Sequence, residues 1–174
     1  ACNRKLLDPI APRYFFVPNP VHMHVEEAPE KTAVLQHHPS RDLGERHIQT
    51  GDTFYIPGDD ARAIEAGDIF RLKDLYNVEV TETSDGITGR YAGEELLSGS
   101  AKLQWVTNDH VDMEVWKPGA LVDDDGSFNP DSLTVVEGYA EPAVQQLNAG
   151  DVVQFERFGF VRIDGPGRAI LAHK

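Results

Sequence analysis

Three Gly-Asp pairs, each followed at once by a run of β-favouring residues, constrain the fold of this chain most. They are Gly51-Asp52, Gly67-Asp68 and Gly150-Asp151. Glycine adopts the positive φ that a tight turn needs, and an aspartate side chain can accept hydrogen bonds from the backbone just ahead of it. Short strands separated by such turns are typical of β-barrels and β-sandwiches.

The rest of the sequence predicts many strands and little helix. Residues 21–26 alternate apolar with polar side chains, which is the pattern of a half-buried strand. Further β-favouring runs predict strands at 13–17, 53–56, 69–72, 76–80, 102–107, 111–116, 133–136 and 152–163. Helices are predicted only at 59–66, capped by Asp59 or Asp60, and at 142–148, which begins with proline. We therefore expect an all-β chain with a few short helices.

The charge of the chain is strongly acidic but unevenly placed. The 174 residues carry 16 Lys and Arg against 29 Asp and Glu, a net charge of −13. Residues 1–13 hold three basic groups and one acidic group, and residues 157–174 hold four and one, so the 143 residues between them carry −18. Net acidity argues against a nucleic-acid partner, unless the fold brings the two basic ends together.

Seven histidines raise the question of a metal site, but their spacing does not support one. His22 and His24 share one face of a predicted strand, and His37-His38 forms an adjacent pair. A zinc site needs three or four convergent ligands, and the single cysteine, Cys2, is remote in sequence from the first pair. We predict no metal site, and one cysteine also excludes an internal disulfide framework.

Other catalytic and ligand-binding motifs are absent from the sequence. The acidic turn at 123–126 resembles a calcium loop, but an EF-hand with its glycine at position six would place Leu121 and Ser132 at ligand positions. No serine lies in a nucleophile-elbow context, and the segment 165–168 is too short to cradle a phosphate. We therefore predict that this chain contains no self-contained active site.

The aromatic segment near the C terminus permits two interpretations. Phe155, Phe158 and Phe160 could stack on unpaired bases, with Gln154 and Arg157 reading base edges. They could equally form a hairpin with aromatic core packing. Periodicity alone favours the core hairpin.

Eight segments, in order along the chain, carry a resemblance to a known family: residues 3–17, 38–44, 55–56, 71–78, 104–106, 129–133, 138–142 and 154–164. Together they resemble the C-terminal anticodon-binding region of archaeal-type glutamyl-tRNA synthetases, class I enzymes related to glutaminyl-tRNA synthetases. The alternative is a non-enzymatic acidic β-barrel or β-sandwich that binds protein or carbohydrate, which explains the charge but not the ordered segments.

The resemblance implies a fold of two small β-barrels, with the N- and C-terminal strands sharing the barrel nearer the catalytic half. Residues 1–12 would end a preceding helical region. The proximal barrel would comprise 13–98 plus 150–174, and the distal barrel 99–149. Turns at 84–86 and 123–126 are the strongest breaks that the sequence itself offers.

The resemblance also implies which residues contact RNA. Positions matching Gln154 and Arg157 contact the middle anticodon base, a uridine, and the position matching Arg13 lies at the anticodon loop. Weaker candidates on the barrel strands are Arg71, Lys73 and Lys102. Because Gln154 and Arg157 are three residues apart, one flat strand would direct them to opposite faces. Arg157 must therefore lie at a bulge or a turn if both side chains are to reach one base.

The implied partners are tRNA(Glu) and the enzyme's own catalytic domain, with tRNA(Gln) left open and neither DNA nor a membrane expected. ATP and magnesium would be used by the catalytic half, in the cytoplasm, and this region would hold no cofactor. The class I signatures His-Ile-Gly-His and Lys-Met-Ser-Lys-Ser do not occur in the sequence. We therefore expect the chain by itself not to form glutamyl-adenylate.

Overall fold

Fifteen short strands and three short helical segments make up the fold in a computed structural model, which describes residues 2–119, 124–129 and 132–173. The helices are α1 (Cys2–Leu7), α2 (Gly58–Ala63) and the 3-10 helix η1 (Pro142–Gln146). The strands are β1 (Arg13–Tyr14), β2 (Phe16–Pro18), β3 (Val21–Glu26), β4 (Lys31–Gln36), β5 (Glu45–Thr50), β6 (Thr53–Ile56), β7 (Ile69–Leu72), β8 (Asn77–Glu82), β9 (Ile87–Tyr91), β10 (Lys102–Leu103), β11 (Val111–Pro118), β12 (Leu133–Ala140), β13 (Val152–Phe155), β14 (Gly159–Gly165) and β15 (Arg168–His173).

A seven-stranded sheet joins both ends of the chain, in the order β1-β13-β14-β15-β11-β12-β2. Its two edge strands, β1 and β2, are separated in sequence by Phe15 alone, so the sheet must curl until its edges meet. Phe16, Val115, Phe155, Val161 and Ala169 fill its core. The prediction that the N- and C-terminal strands share one barrel is confirmed.

A six-stranded sheet forms the second unit, in the order β10-β7-β8-β9-β3-β6. Its edges also meet, because Val106, which follows β10, pairs with Tyr55 of β6 through backbone hydrogen bonds of 2.8 and 3.1 Å. The separate hairpin β4–β5 packs Ala33, Leu35 and Ile48 into the same core. The predicted all-β class is therefore confirmed.

The strand pairing groups residues differently from the predicted division into 13–98 plus 150–174 and 99–149. Strands β11 and β12 belong to the same sheet as the terminal strands, since β11 pairs with β15 and β12 pairs with β2. Strand β10 lies in the other sheet, beside β7. The break between the two units thus falls between Val106 and Val111.

Several local predictions need correction. Helix α2 ends at Ala63 rather than Ala66, and its N-cap residue is Pro57, with no side-chain capping bond from Asp59 or Asp60. The second predicted helix is a 3-10 turn. Residues 123, 130 and 131, part of the predicted acidic turn and of one resembling segment, lie outside the described residues.

A buried ion pair, Arg46 with Glu141, fastens the two units to each other. The Arg46 Nε donates to Glu141 Oε1 at 2.5 Å, and the two side chains are 5% and 1% exposed. The second carboxylate oxygen accepts the Phe15 N–H at 2.8 Å, and Arg46 Nη1 donates to the Gln36 carbonyl at 2.8 Å. Burial raises the pKa of the Glu141 carboxyl, opposed by the Arg46 charge and by these hydrogen bonds.

Substituting Arg46 by methionine should destabilise the fold severely, because the Glu141 carboxylate would then be buried without a countercharge. Breaking one partner of a buried pair lowers the free energy of unfolding by about 3–5 kcal/mol. Urea denaturation of the wild type and Arg46→Met measures this directly. Arg62→Met is the matched control, because Arg62 pairs with Asp59 at the surface, with 72% and 88% of the side chains exposed. Similar losses in both variants would contradict the role assigned to the buried pair.

Candidate functional site

Arg13 and Gln154 lie side by side on the adjoining parallel strands β1 and β13, where they are register partners. The backbone holds both positions firmly. The Gln154 N–H donates to the Pro12 carbonyl at 2.9 Å, and the Arg13 N–H donates to the His37 carbonyl at 2.6 Å. The two long polar side chains therefore emerge from one rigid part of the seven-stranded sheet.

Both of these side chains contain a buried polar atom without a partner. Among the described residues, Arg13 Nε and Gln154 Oε1 find no hydrogen bond, although Arg13 Nη2 lies 3.5 Å from Asp8 Oδ1. An unsatisfied buried polar atom costs about 1–3 kcal/mol. Here an unpaired donor and an unpaired acceptor lie on neighbouring residues, and a side-chain movement that uncovered them would suit a ligand edge with an acceptor beside a donor.

His37 supports Arg13 from the opposite side. Its Nδ1 lies 3.3 Å from the Arg13 carbonyl oxygen, and its ring centroid lies 4.8 Å from that of Tyr14. Burial lowers the pKa of His37, and the nearby Arg46 charge lowers it further, against the hydrogen bond to Arg13. At neutral pH the imidazole is therefore uncharged and serves as a packed support.

Arg157 lies in the turn between β13 and β14, as its spacing from Gln154 requires. It has a φ of +60°, and the Phe158 N–H donates to the Phe155 carbonyl at 3.0 Å across the turn. Its guanidinium reaches the other unit, where Nη1 and Nη2 each lie 3.3 Å from one carboxylate oxygen of Asp60. Nη1 also lies 3.4 Å from the Lys102 carbonyl oxygen.

Lys73 lies near this junction through Glu156, the residue before Arg157, whereas Lys102 contributes its backbone carbonyl. Lys73 Nζ donates to Glu156 Oε2 at 2.6 Å, and Glu156 in turn donates its backbone N–H to the Tyr14 carbonyl at 3.1 Å. The junction is thus continuous, along the backbone of β13, with the positions of Arg13 and Gln154.

The Arg71 side chain makes its contacts away from the other candidate residues. It is the register partner of Lys102, but its Nη1 donates to Asn77 Oδ1 at 3.3 Å and to the Glu94 carbonyl at 3.1 Å. The guanidinium therefore supports the loop that follows β9.

The aromatic segment is largely core. Phe155 and Phe160 are 0% and 1% exposed, and Phe155 stacks on Phe16 with ring centroids 5.0 Å apart. Burial removes these two rings from any role in base stacking. Phe158 is half-buried, lies edge-on to Phe16, and has the Lys117 amino group 4.8 Å from its ring centroid.

The two basic chain ends lie in the same sheet, and three of their seven basic residues face a carboxylate. Besides the Arg13 and Arg157 pairs, Arg168 Nε donates to Asp164 Oδ2 at 2.7 Å. The acidic partners Asp60 and Glu156 were not predictable as site residues, since a surface carboxylate has no distinguishing sequence context. Asp60 contacts Arg157, and Glu156 contacts Lys73, only in the folded chain.

Two classes of feature are absent from the described part of the chain. No three His, Cys, Asp or Glu side chains there are arranged to hold a metal ion. None of its helices is both long and apolar enough to cross a membrane.

Comparisons with known proteins identify the family. Residues 11–94 match the family model described as "tRNA synthetases class I (E and Q), anti-codon binding domain", and residues 102–164 match a second model with the same description. The break between the matches lies close to the structural break between the units.

Relatives align along almost the whole chain. Glutamate–tRNA ligases of Cenarchaeum symbiosum, Methanocella arvoryzae and Pyrococcus abyssi are 37%, 43% and 40% identical over 99%, 98% and 100% of it. The chain spans 31%, 28% and 30% of these relatives' lengths. Since both models match in chain order, the chain belongs to the family of anticodon-binding domains of class I tRNA synthetases for glutamate and glutamine.

Proposed function

We propose that this chain binds the anticodon of tRNA(Glu) and recognises its middle base with Gln154, Arg13 and Arg157. The observation that carries the proposal is the pair of open polar atoms, Arg13 Nε and Gln154 Oε1, on neighbouring strands. Both atoms are buried without a partner among the described residues, so a base edge that reached them after a side-chain movement would satisfy a donor and an acceptor that the free chain leaves unpaired.

A uracil base has the complementary pattern on its pairing edge. Its ring N–H is a donor flanked by two carbonyl acceptors, so Gln154 Oε1 would accept from the N–H while the Arg13 guanidinium donates to a carbonyl. Cytosine presents an acceptor where uracil presents its ring N–H donor, and would leave Gln154 unsatisfied. Arg157, three residues further along the chain, would complete the contact from the turn.

The weaker candidates divide by their surroundings. Lys73 and Lys102 lie at the Arg157 junction, where they would favour the RNA backbone electrostatically. Arg71 we propose as a support of the β9 loop, since its guanidinium is engaged there.

We propose further that the chain acts within a glutamate–tRNA ligase, the activity that its relatives' names state. The proposal includes the use of ATP and magnesium by that enzyme and its location in the cytoplasm. The catalytic half would carry the ATP chemistry, and this region would contribute binding energy and tRNA selection. Both tRNA(Glu) and tRNA(Gln) carry a middle uridine, so the proposed contacts accept either.

Gln154→Ala and Arg157→Ala should each reduce discrimination against a wrong middle base. A bidentate base contact contributes about 1–3 kcal/mol of discrimination. Filter binding with two anticodon stem-loops, one with uridine and one with cytosine in the middle position, measures the affinity ratio. We expect each variant to lower this ratio more than it lowers the affinity for the cytosine RNA.

Matched controls are available for both substitutions. Gln49→Ala removes an exposed glutamine from the β4–β5 hairpin, and Arg162→Ala removes an exposed arginine from β14, beside β13. Neither should change the ratio. Equal weakening for both RNAs in the site variants, or an absence of RNA binding at low salt, would count against the proposal and favour the protein- or carbohydrate-binding alternative.

His37→Gln should change the pH dependence of stability. Because the pKa of His37 is lowered in the folded chain, the unfolded chain binds the proton first, and this stability is lost as pH falls below about 6.5. The free energy of unfolding of the wild type should therefore fall more steeply between pH 7 and 5.5 than that of the variant. Parallel urea-denaturation curves across this range would rule out the assigned burial of the neutral ring.

A further inference from the structure

Asp60 lies at the contact between the two units and is set apart from its neighbour Asp59 on the same short helix. The Asp60 side chain is 19% exposed and faces Arg157, whereas the Asp59 side chain is 88% exposed and pairs with Arg62. Neither carboxylate caps α2 and both lie in its first turn, so the helix itself does not distinguish Asp60 from Asp59. Its partner is the candidate RNA-reading arginine of the other unit.

The Arg157 guanidinium is held by one of its two donor edges. The edge formed by Nη1 and Nη2 spans the two Asp60 oxygens at 3.3 Å each, and Nη1 also meets the Lys102 carbonyl at 3.4 Å. A guanidinium has five donors in a fixed plane. The Nε–H and the outer Nη2–H remain, and they form a second bidentate edge.

The backbone conformation at Arg157 would suit glycine better than arginine. Its φ of +60° lies in the left-handed region, where glycine is free of strain and other residues pay about 1–2 kcal/mol. Glycine would therefore suit the turn better, if the turn alone mattered. The long side chain instead crosses to the other unit and is anchored there, 55% exposed.

We propose that Asp60 is a positioning residue for Arg157: it holds one edge of the guanidinium so that the other edge is presented to the RNA. The proposal rests on the proposed function, since it assigns a role within the same site. It gives Asp60 a part in base discrimination without any contact with RNA. The opposite role is competition, in which Asp60 occupies Arg157 and must be displaced by RNA.

The two roles predict opposite results for Asp60→Asn. A positioning role predicts that the uridine-to-cytosine affinity ratio falls towards that of Arg157→Ala, by about 5- to 150-fold if one bidentate contact is lost. A competing role predicts tighter binding of both RNAs with the ratio kept or increased. The second result would overturn the proposal.

Two further variants separate position from charge. Asp59→Asn removes the same charge one residue away. Any general gain in RNA affinity from the lost charge should therefore appear in both Asp59→Asn and Asp60→Asn, but in Asp59→Asn the uridine-to-cytosine affinity ratio should stay at the wild-type value. Asp60→Glu keeps the charge but moves the carboxylate by one methylene, and it should lower the ratio as Asp60→Asn does. An unchanged ratio in both Asp60 variants would refute positioning.

A double-variant comparison tests whether Asp60 acts through Arg157. In the Arg157→Ala background, Asp60→Asn should cause no additional loss of ratio. A further loss of the affinity ratio in that background would show that Asp60 does not act through Arg157, and would overturn the proposal. Failure of the proposed function is distinct, because the wild type would then not discriminate between the RNAs, or Arg157→Ala would leave the ratio unchanged.

The free protein offers a readout that needs no RNA. The Arg157 Nε–H signal in ¹⁵N-edited NMR, assigned by its loss in Arg157→Ala, should shift and broaden in Asp60→Asn and remain as in the wild type in Asp59→Asn. The same spectra report whether each variant is folded. A folded Asp60→Asn variant with an unchanged Arg157 signal would show that Asp60 does not position the guanidinium, and would overturn the proposal.

Discussion

The ion pair between Arg46 and Glu141 is the contact on which the arrangement of the two units depends. Arg46 belongs to the hairpin of the six-stranded unit, and Glu141 directly follows β12 of the seven-stranded unit. Glu141 also exchanges two hydrogen bonds with Phe15, its carboxylate accepting from the Phe15 N–H and its own N–H donating to the Phe15 carbonyl at 3.2 Å. Phe15 is the single residue between β1 and β2, so one buried carboxylate fixes both the closure of a barrel and the attachment of its neighbour.

This closure explains why the candidate site is rigid. Phe15 itself packs into the core of the six-stranded unit, while Tyr14 and Phe16 on either side pack into the other core. The chain must therefore turn its side chains alternately into two cores within three residues. The backbone of Arg13 is held in place because it directly precedes this packed segment. The backbone of Gln154 is held in turn because it pairs with Arg13. The geometry of the site follows from core packing rather than from contacts made by the polar side chains.

The sequence predicts the β architecture because its turn residues mark most strand starts, but it conceals several strands. In β5 the buried positions are Arg46, Ile48 and Thr50, so the strand lacks the expected alternation of apolar residues. Arg46 is buried because its partner is Glu141, 95 residues further along the chain. In β9 the buried Gly89 leaves room for Val78 and the Glu79 carbonyl, a demand made by a neighbouring strand. For the site, resemblance supplied Arg13, Gln154 and Arg157, whereas Asp60 and Glu156 depend on tertiary contacts that no local pattern reveals.

The charge distribution now has a physical interpretation that net charge alone does not provide. Arg13, Lys73 and Arg157 each face a carboxylate in the free chain, so the junction is polar and ordered but weakly cationic. Long-range attraction for a polyanion is correspondingly small, because exposed compensated charges are screened within about 10 Å at 0.1 M salt. In the proposed function, selectivity for RNA would then rest on short-range complementarity with the Gln154 and Arg13 atoms that lack partners in the free chain. An acidic chain of this kind would reject most RNA and retain the sequence whose base edge satisfies both atoms.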